Sequence, residues 1–163
     1  IVVVVAIFLL PIIDISGGNN PTAWWQLEDK NDTSLALSLH RHLLLREKYP
    51  HIHCLGYDPA VKIYDQLPKQ KFDIVFSNDV LEHVEPLYLD TVLQFIEQQS
   101  EKYAWLRIDT QPATKILSDG RNAHLIIEDE AWWRERLEFA MSMKIVNMST
   151  NKKQRIDVEL MHE

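Results

Sequence analysis

The sequence predicts one α/β domain: a mainly parallel sheet with helices on both faces and an antiparallel β-hairpin at its C-terminal end. The prediction rests on three observations. Apolar segments rich in β-branched residues alternate with segments of helical period, the pattern of parallel strands joined by helical crossovers. The last two strand-like segments, residues 144–148 and 155–161, are joined by a short polar turn with no helix between them. The chain has 163 residues, 46% of them hydrophobic and 25% charged, which suits a single soluble core without disulfide staples.

The elements follow in order. Ile1 to Leu10 is an unbroken apolar run that continues past Pro11 to Ile12, Ile13, Asp14 and Ile15, and it is expected as a buried strand. The run to Leu10 is shorter than the ~20 residues of a membrane-spanning helix, and no basic residue precedes it as in a signal peptide. The cluster Ser16, Gly17, Gly18, Asn19, Asn20, Pro21 is a turn. The polar stretch from Gly18 to Thr33, interrupted by Trp24 and Trp25, is an expected loop over the site. Leu35, Leu39 and Leu43 recur at helical spacing and predict a helix over 34–48, ended by Tyr49-Pro50. Residues 51–57 form a short strand ending in Asp58-Pro59, and Val61 to Tyr64 is either a shorter third strand ending at Asp65, the favoured reading, or a single helical turn. Phe72 to Ser77 is a buried strand. Pro86 opens a helix to about Ser100, with Leu89, Val92, Leu93 and Ile96 on one face. Tyr103 to Asp109 is a strand and residues 111–122 a loop turned by Asp119-Gly120. A helix over 129–141 faces Trp133, Leu137, Ala140 and Met141 inward, and the hairpin closes the domain, which is expected to span residues 1–163.

Charge and composition exclude several functions. The formal net charge is −7, so the chain does not attract nucleic acid by overall charge. Its one basic run, Lys152, Lys153 and Arg155, is expected as a solvated turn. The single cysteine, Cys54, excludes an internal disulfide and a Cys-rich zinc site and fits a reducing, cytoplasmic setting. No G-x-G-x-x-G occurs, which argues against a nicotinamide-dependent oxidoreductase.

Parallel sheets bind ligands outside the carboxyl ends of their strands. Here those ends are expected to carry Asp14, Asp58, Asn78-Asp79 and Asp109, a rim suited to a polar ligand. Asp79, Glu82 and His83 form a D-x-x-E-H array. On the first turn of a helix these three share a face, and two carboxylates with an imidazole are ligands for Mg²⁺ or Mn²⁺. His83 and His124 are candidate general bases, since imidazole exchanges a proton near neutral pH.

The block Phe72 to Val84, FDIVFSNDVLEHV, resembles the fourth-strand motif of class I S-adenosylmethionine-dependent methyltransferases. Asp14 to Asn19 sits where that family has its first glycine motif, and Asp58 where it places an acidic residue after strand two. Asp119 to His124 (DGRNAH) with Trp132-Trp133 resembles a bacterial and phage branch of methyltransferase-like proteins. The resemblance spans about residues 11–161. It implies a Rossmann-like methyltransferase fold and S-adenosyl-L-methionine as cofactor. Asp14, Ser16, Gly17, Gly18, Asp58, Asn78, Asp79 and Val80 would border it. The implied acceptor is a small molecule or glycan, met by Asp109, Arg121 and Asn122. Some metal-dependent O-methyltransferases use a similar E-x-x-E-H array with a distal His, a part the resemblance gives to His124. Ser16 and Asn20 stand where the family's glycine motif has Gly. That departure keeps open an alternative: a methyltransferase-like domain without turnover, serving as a binding or assembly module.

Overall fold

The computed structural model describes residues 3–7, 47, 53–57 and 66–163. Their strands are β1 (Val3–Ile7), β2 (His53–Tyr57), β3 (Phe72–Asn78), β4 (Ser100–Asp109), β5 (Lys144–Thr150) and β6 (Arg155–Met161). They form one six-stranded sheet in the order β2-β1-β3-β4-β6-β5. The first four are parallel; β6 runs antiparallel to both β4 and β5. β6 therefore fills the space between β4 and β5, and the C-terminal hairpin extends the sheet. The turn joining β5 to β6 lies at the same rim as the carboxyl ends of β3 and β4.

Two α-helices are described, α1 (Leu89–Gln99) and α2 (Glu130–Ala140). Pro86 opens a single 3₁₀ turn, Pro86–Tyr88, before α1 begins, at a first-turn position where its missing N–H costs no hydrogen bond. α1 buries Leu89, Val92, Leu93 and Ile96, the face that the periodicity predicts. α2 is capped by Asp129, whose Oδ1 accepts from the Trp132 amide at 2.9 Å, a good N-cap contact. It buries Trp133, Leu137 and Ala140, and Met141 is buried just past its end. An ion pair from Arg136 to Asp90 joins the two helices over a common core with Phe72, Val75, Leu106, Ile108, Ile156, Val158 and Leu160.

Several boundaries differ from expectation. β4 starts at Ser100, three residues before the apolar alternation does. Ser100 is buried, its hydroxyl donates to the Ile96 carbonyl at 2.8 Å, and it pairs with Phe72; strand pairing overrides the polar Glu101 and Lys102. β5 likewise runs on to Thr150 because its ladder with β6 continues to Ile156. Arg155 belongs to β6 and is not part of the solvated turn formed by Lys152 and Lys153. The expected strand at 61–64, the 8–15 part of the first apolar segment, and the 18–33 loop lie outside the described residues. So does the 34–48 helix, except Glu47, which is helical.

Leu93 has no exposed surface. Leu93→Ala is expected to destabilise the fold by about 2–5 kcal/mol. Phe139, on the outer face of α2, is 76% exposed, and Phe139→Ser should stay within about 0.5 kcal/mol. Urea unfolding of the two variants checks the contrast.

Candidate active site

The site is built where β3 and β4 end side by side. Asn78 pairs with Arg107, and the Asp79 amide donates to the Arg107 carbonyl at 2.9 Å. Asp79 then takes a φ of 54°, a left-handed conformation that non-glycine residues visit at a penalty and Asp tolerates better than most. Asn78 Nδ2 donates to Asp79 Oδ2 at 2.8 Å. This turn carries the chain out of the sheet before the 3₁₀ helix Leu81–His83 begins. Asp79 is thus not on a helical turn with Glu82 and His83, as the spacing predicts.

Glu82 is fully buried. Its carbonyl accepts from the Leu125 and Ile126 amides at 2.7 and 3.1 Å. Its Oε1 accepts from the Asp109 amide at 3.2 Å, and its Oε2 has no hydrogen-bond partner. Burial, aided by the nearby Asp79 and Asp109 carboxylates, pushes its pKa up to about 8 against the two backbone hydrogen bonds.

Two histidines stand beside it. His83 Nδ1 donates to the Ala123 carbonyl at 2.8 Å, and His124 Nδ1 donates to the Gln111 carbonyl. A carbonyl oxygen accepts only, so each Nδ1 carries a proton, and the Nε2 atom is the nitrogen of each ring not engaged by its carbonyl. The rings meet edge to face with centroids 4.7 Å apart. Burial lowers the pKa of His83, and the neighbouring His124 lowers it further. One donor atom from each of Glu82, His83 and His124 lies within 4.8 Å of the others. Asp79 does not belong to this group.

Arg155 faces the acidic rim. In the β4–β6 ladder it stands opposite Asp109. Its Nε donates to Asp109 Oδ2 at 3.1 Å, and its Nη1 lies 3.9 Å from Asp79 Oδ2. Asp109 Oδ1 accepts from the Gln111 amide at 3.0 Å. Residue-type reasoning placed Arg155 in the basic turn. The register of β6 against β4 is the missing signal, and it exists only once the hairpin is paired.

The loop residues expected to meet a substrate have other partners. Asn122 Oδ1 accepts from the Ala113 and His124 amides at 3.0 and 2.8 Å, and its Nδ2 donates to the Ala113 carbonyl at 2.9 Å. Arg121 forks onto Glu85 at 3.0 and 2.7 Å and reaches Asp119 at 2.7 Å. Asn122 therefore shapes the loop that presents His124, and Arg121 ties that loop to Glu85, between the two 3₁₀ turns. Val80 is buried beneath the turn. Asp14, Ser16, Gly17, Gly18 and Asp58 lie outside the described residues; β2 ends at Tyr57, one residue before Asp58. Among the described residues no helix is long and apolar enough to cross a membrane.

The raised pKa of Glu82 has a consequence for stability. Its carboxyl titrates near 4.5 ordinarily and near 8 when folded. Between those values the folded state holds a proton that the unfolded state releases, so stability falls as pH rises through this window. His83, lowered from its usual 6.5, acts in the opposite sense and only at pH values up to its unfolded pKa. Between about pH 6.5 and 8 the Glu82 slope therefore stands alone of the two. In the presence of a chelator, the urea midpoint should drop as pH is raised across that range, and Glu82→Gln should flatten the drop. An unchanged slope in the variant contradicts this electrostatic account.

No protein-family model and no curated protein matches the sequence. Solved structures do match the fold. A SAM-dependent methyltransferase from Aquifex aeolicus superposes with a TM-score of 0.54 at 14% identity, over 98% of this chain and 81% of that one. The DhpI–SAM–HEP complex gives 0.54 at 13% identity, over 99% and 79%. An O-methyltransferase family protein from Burkholderia thailandensis gives 0.56 at 8% identity, over 99% of this chain and 51% of that one. The chain thus spans about half the length of some solved methyltransferases that it matches. Its sheet and helices have the Rossmann-like fold of these methyltransferases.

Proposed function

We propose that the chain is an S-adenosyl-L-methionine-dependent methyltransferase acting on a small-molecule or glycan acceptor in the cytoplasm. The observation that carries this reading is the position of the Asn78-Asp79 turn. It leaves the carboxyl end of β3 beside β1, where the sheet order β2-β1-β3 reverses direction. Open α/β sheets bind their ligands at that crevice, and the segment leaving it is the DVLEH block that resembles the methyltransferase motif. The cofactor-bound state of the DhpI neighbour supports the same reading.

In this assignment Asp14, Ser16, Gly17 and Gly18 hold the methionine part of the cofactor. Asp58 accepts from the ribose hydroxyls, and Asn78, Asp79 and Val80 border the adenosine side. The cofactor supplies a methyl group already activated on a sulfonium. The chain has to align the acceptor with that methyl, keep water away, and leave the acceptor proton somewhere to go. Asp109, His83 and His124 bound the acceptor side, with Arg121 and Asn122 holding the loop that carries His124.

Calorimetry with S-adenosylmethionine or S-adenosylhomocysteine tests the proposal. Binding is expected in the micromolar range, roughly −8 kcal/mol. Asp58→Ala should weaken it by about 1.5–3 kcal/mol, the scale of a charge-assisted hydrogen bond. His124→Ala should leave cofactor affinity nearly unchanged while lowering methyl transfer about 10²–10⁴-fold. Absence of binding at millimolar cofactor overturns the enzyme reading. Binding without transfer to any acceptor in a hydroxyl-bearing panel would favour the binding or assembly module.

A further inference from the structure

We infer that the chain associates with a second copy of itself through the outer stripe of α2, the two helices meeting antiparallel across a twofold axis. The stripe is made of Trp132, Glu135, Arg136 and Phe139, which line a shallow groove along the helix. Spacings of three and four residues put them on one helical face. The inward face of the same helix is already filled by Trp133, Leu137 and Ala140. The Trp132-Trp133 pair is therefore split: the second ring belongs to the core and the first borders the groove.

An aromatic ring marks each end of the stripe. Phe139 is 76% exposed, far more than a large apolar ring on a helix gains from water. Trp132 is half-buried and stands edge to face against Trp133, with ring centroids 5.2 Å apart. Rings held in place in this way lose little freedom when a partner covers them, and aromatic residues are the usual anchors of interfaces. Between the rings lie one cation and one anion. Arg136 is oriented by Asp90, 2.7 Å from its Nη2, and its Cζ lies 5.7 Å from the Phe139 ring centroid. Its Nε has no hydrogen-bond partner. Glu135 is exposed and has no ion-pair partner among the described residues.

The order of these four residues identifies the occupant. A twofold axis crossing α2 between residues 135 and 136 sets Trp132 of one protomer against the partner's Phe139. The same axis sets Glu135 against the partner's Arg136, and each contact occurs twice. The stripe is thus complementary to its own reversed copy in both apolar and charged content. A parallel pairing would instead set Glu135 against the partner's Glu135, like charge on like, which is unfavourable. Each protomer carries a formal net charge of −7, so two copies repel in general, whereas this stripe carries one charge of each sign. Exposed ion pairs add little to affinity but fix direction and register, and the rings supply the buried area. One helix face is a small contact, which makes the dimer a weak and reversible one.

The test uses the full untagged chain without S-adenosylmethionine, so its outcome is independent of cofactor binding and methyl transfer. Sedimentation equilibrium from about 1 µM to 1 mM should show a monomer–dimer equilibrium with a dissociation constant in the micromolar range. Phe139→Ser removes an exposed ring and leaves the core intact; it should weaken association at least ~100-fold. Glu135→Arg and Arg136→Glu should each be monomeric at concentrations where the parent chain dimerises. Mixed one to one, these two variants should dimerise again, because the two positive positions of one chain then face the two negative positions of the other. Recovery in the mixture alone shows that both variants are folded and that the register is the antiparallel one. If Arg136→Glu, which also loses Asp90, folds poorly, Phe139→Ser and Glu135→Arg carry the decision. A chain still monomeric at the highest concentration overturns the inference. So does a dimer that survives Phe139→Ser and Glu135→Arg but dissociates in Val146→Lys, since Val146 is an exposed residue of the edge strand β5.

Discussion

The candidate site depends on how Glu82 is held. Its main-chain carbonyl accepts two amides of the loop before α2, from Leu125 and Ile126, and its carboxyl accepts the amide of Asp109. One residue therefore fastens the exit of β3, the end of β4 and the returning loop to one another. A carboxyl placed there is an unfavourable tenant unless it is neutral or paired, and its raised pKa expresses that tension. An apolar residue could fill the volume but could not receive the Asp109 amide. The fold keeps an electrostatically awkward group because three chain segments meet on it.

The second constraint is the accumulation of negative charge. Asp79, Glu82 and Asp109 converge within the space between two adjacent strand ends, and parallel strands alone offer no compensating cation there. The antiparallel β6 does. Insertion of β6 between β4 and β5 sets Arg155 opposite Asp109, within reach of Asp79 as well. For Arg155, burial opposes the charged form, but Asp79, Asp109 and Glu82 more than offset it and raise its pKa. The hairpin is thus both the completion of the sheet and the source of the charge that lets the acidic rim persist.

Much of the architecture was legible because it obeys simple periods. The four-residue spacing of Leu89, Leu93 and their neighbours specified the buried face of α1, and the β-branched alternation specified β3 and β6. The boundaries that moved at Ser100 and Thr150 did so where strand pairing outweighed composition. In the site, the residue types DVLEH and the distal His124 marked the right places. Their grouping was not legible, because it depends on a positive φ at Asp79 and on main-chain carbonyls of Gln111 and Ala123. Those groups are identical in every residue type and leave no trace in a pattern of side chains. Arg155 was hidden for a related reason: its partner lies 46 positions away and is set by register alone.

The histidine pair shows how such invisible groups govern chemistry. Either imidazole could place its proton on Nδ1 or Nε2, and in water neither choice is strongly imposed. Here the carbonyls of Ala123 and Gln111 impose Nδ1–H on both rings. Asn122 sustains the arrangement, bracing the loop through Ala113 and through the His124 amide itself. The outcome is two Nε2 atoms turned away from those carbonyls and held beside a buried carboxyl, at the rim where a ligand of the sheet would lie. Asn122, expected to touch substrate, shapes that outcome by fixing the backbone that carries His124. The reactivity of the rim is therefore set less by which acidic and basic residues are present than by the main-chain hydrogen bonds that decide which of their atoms remain free.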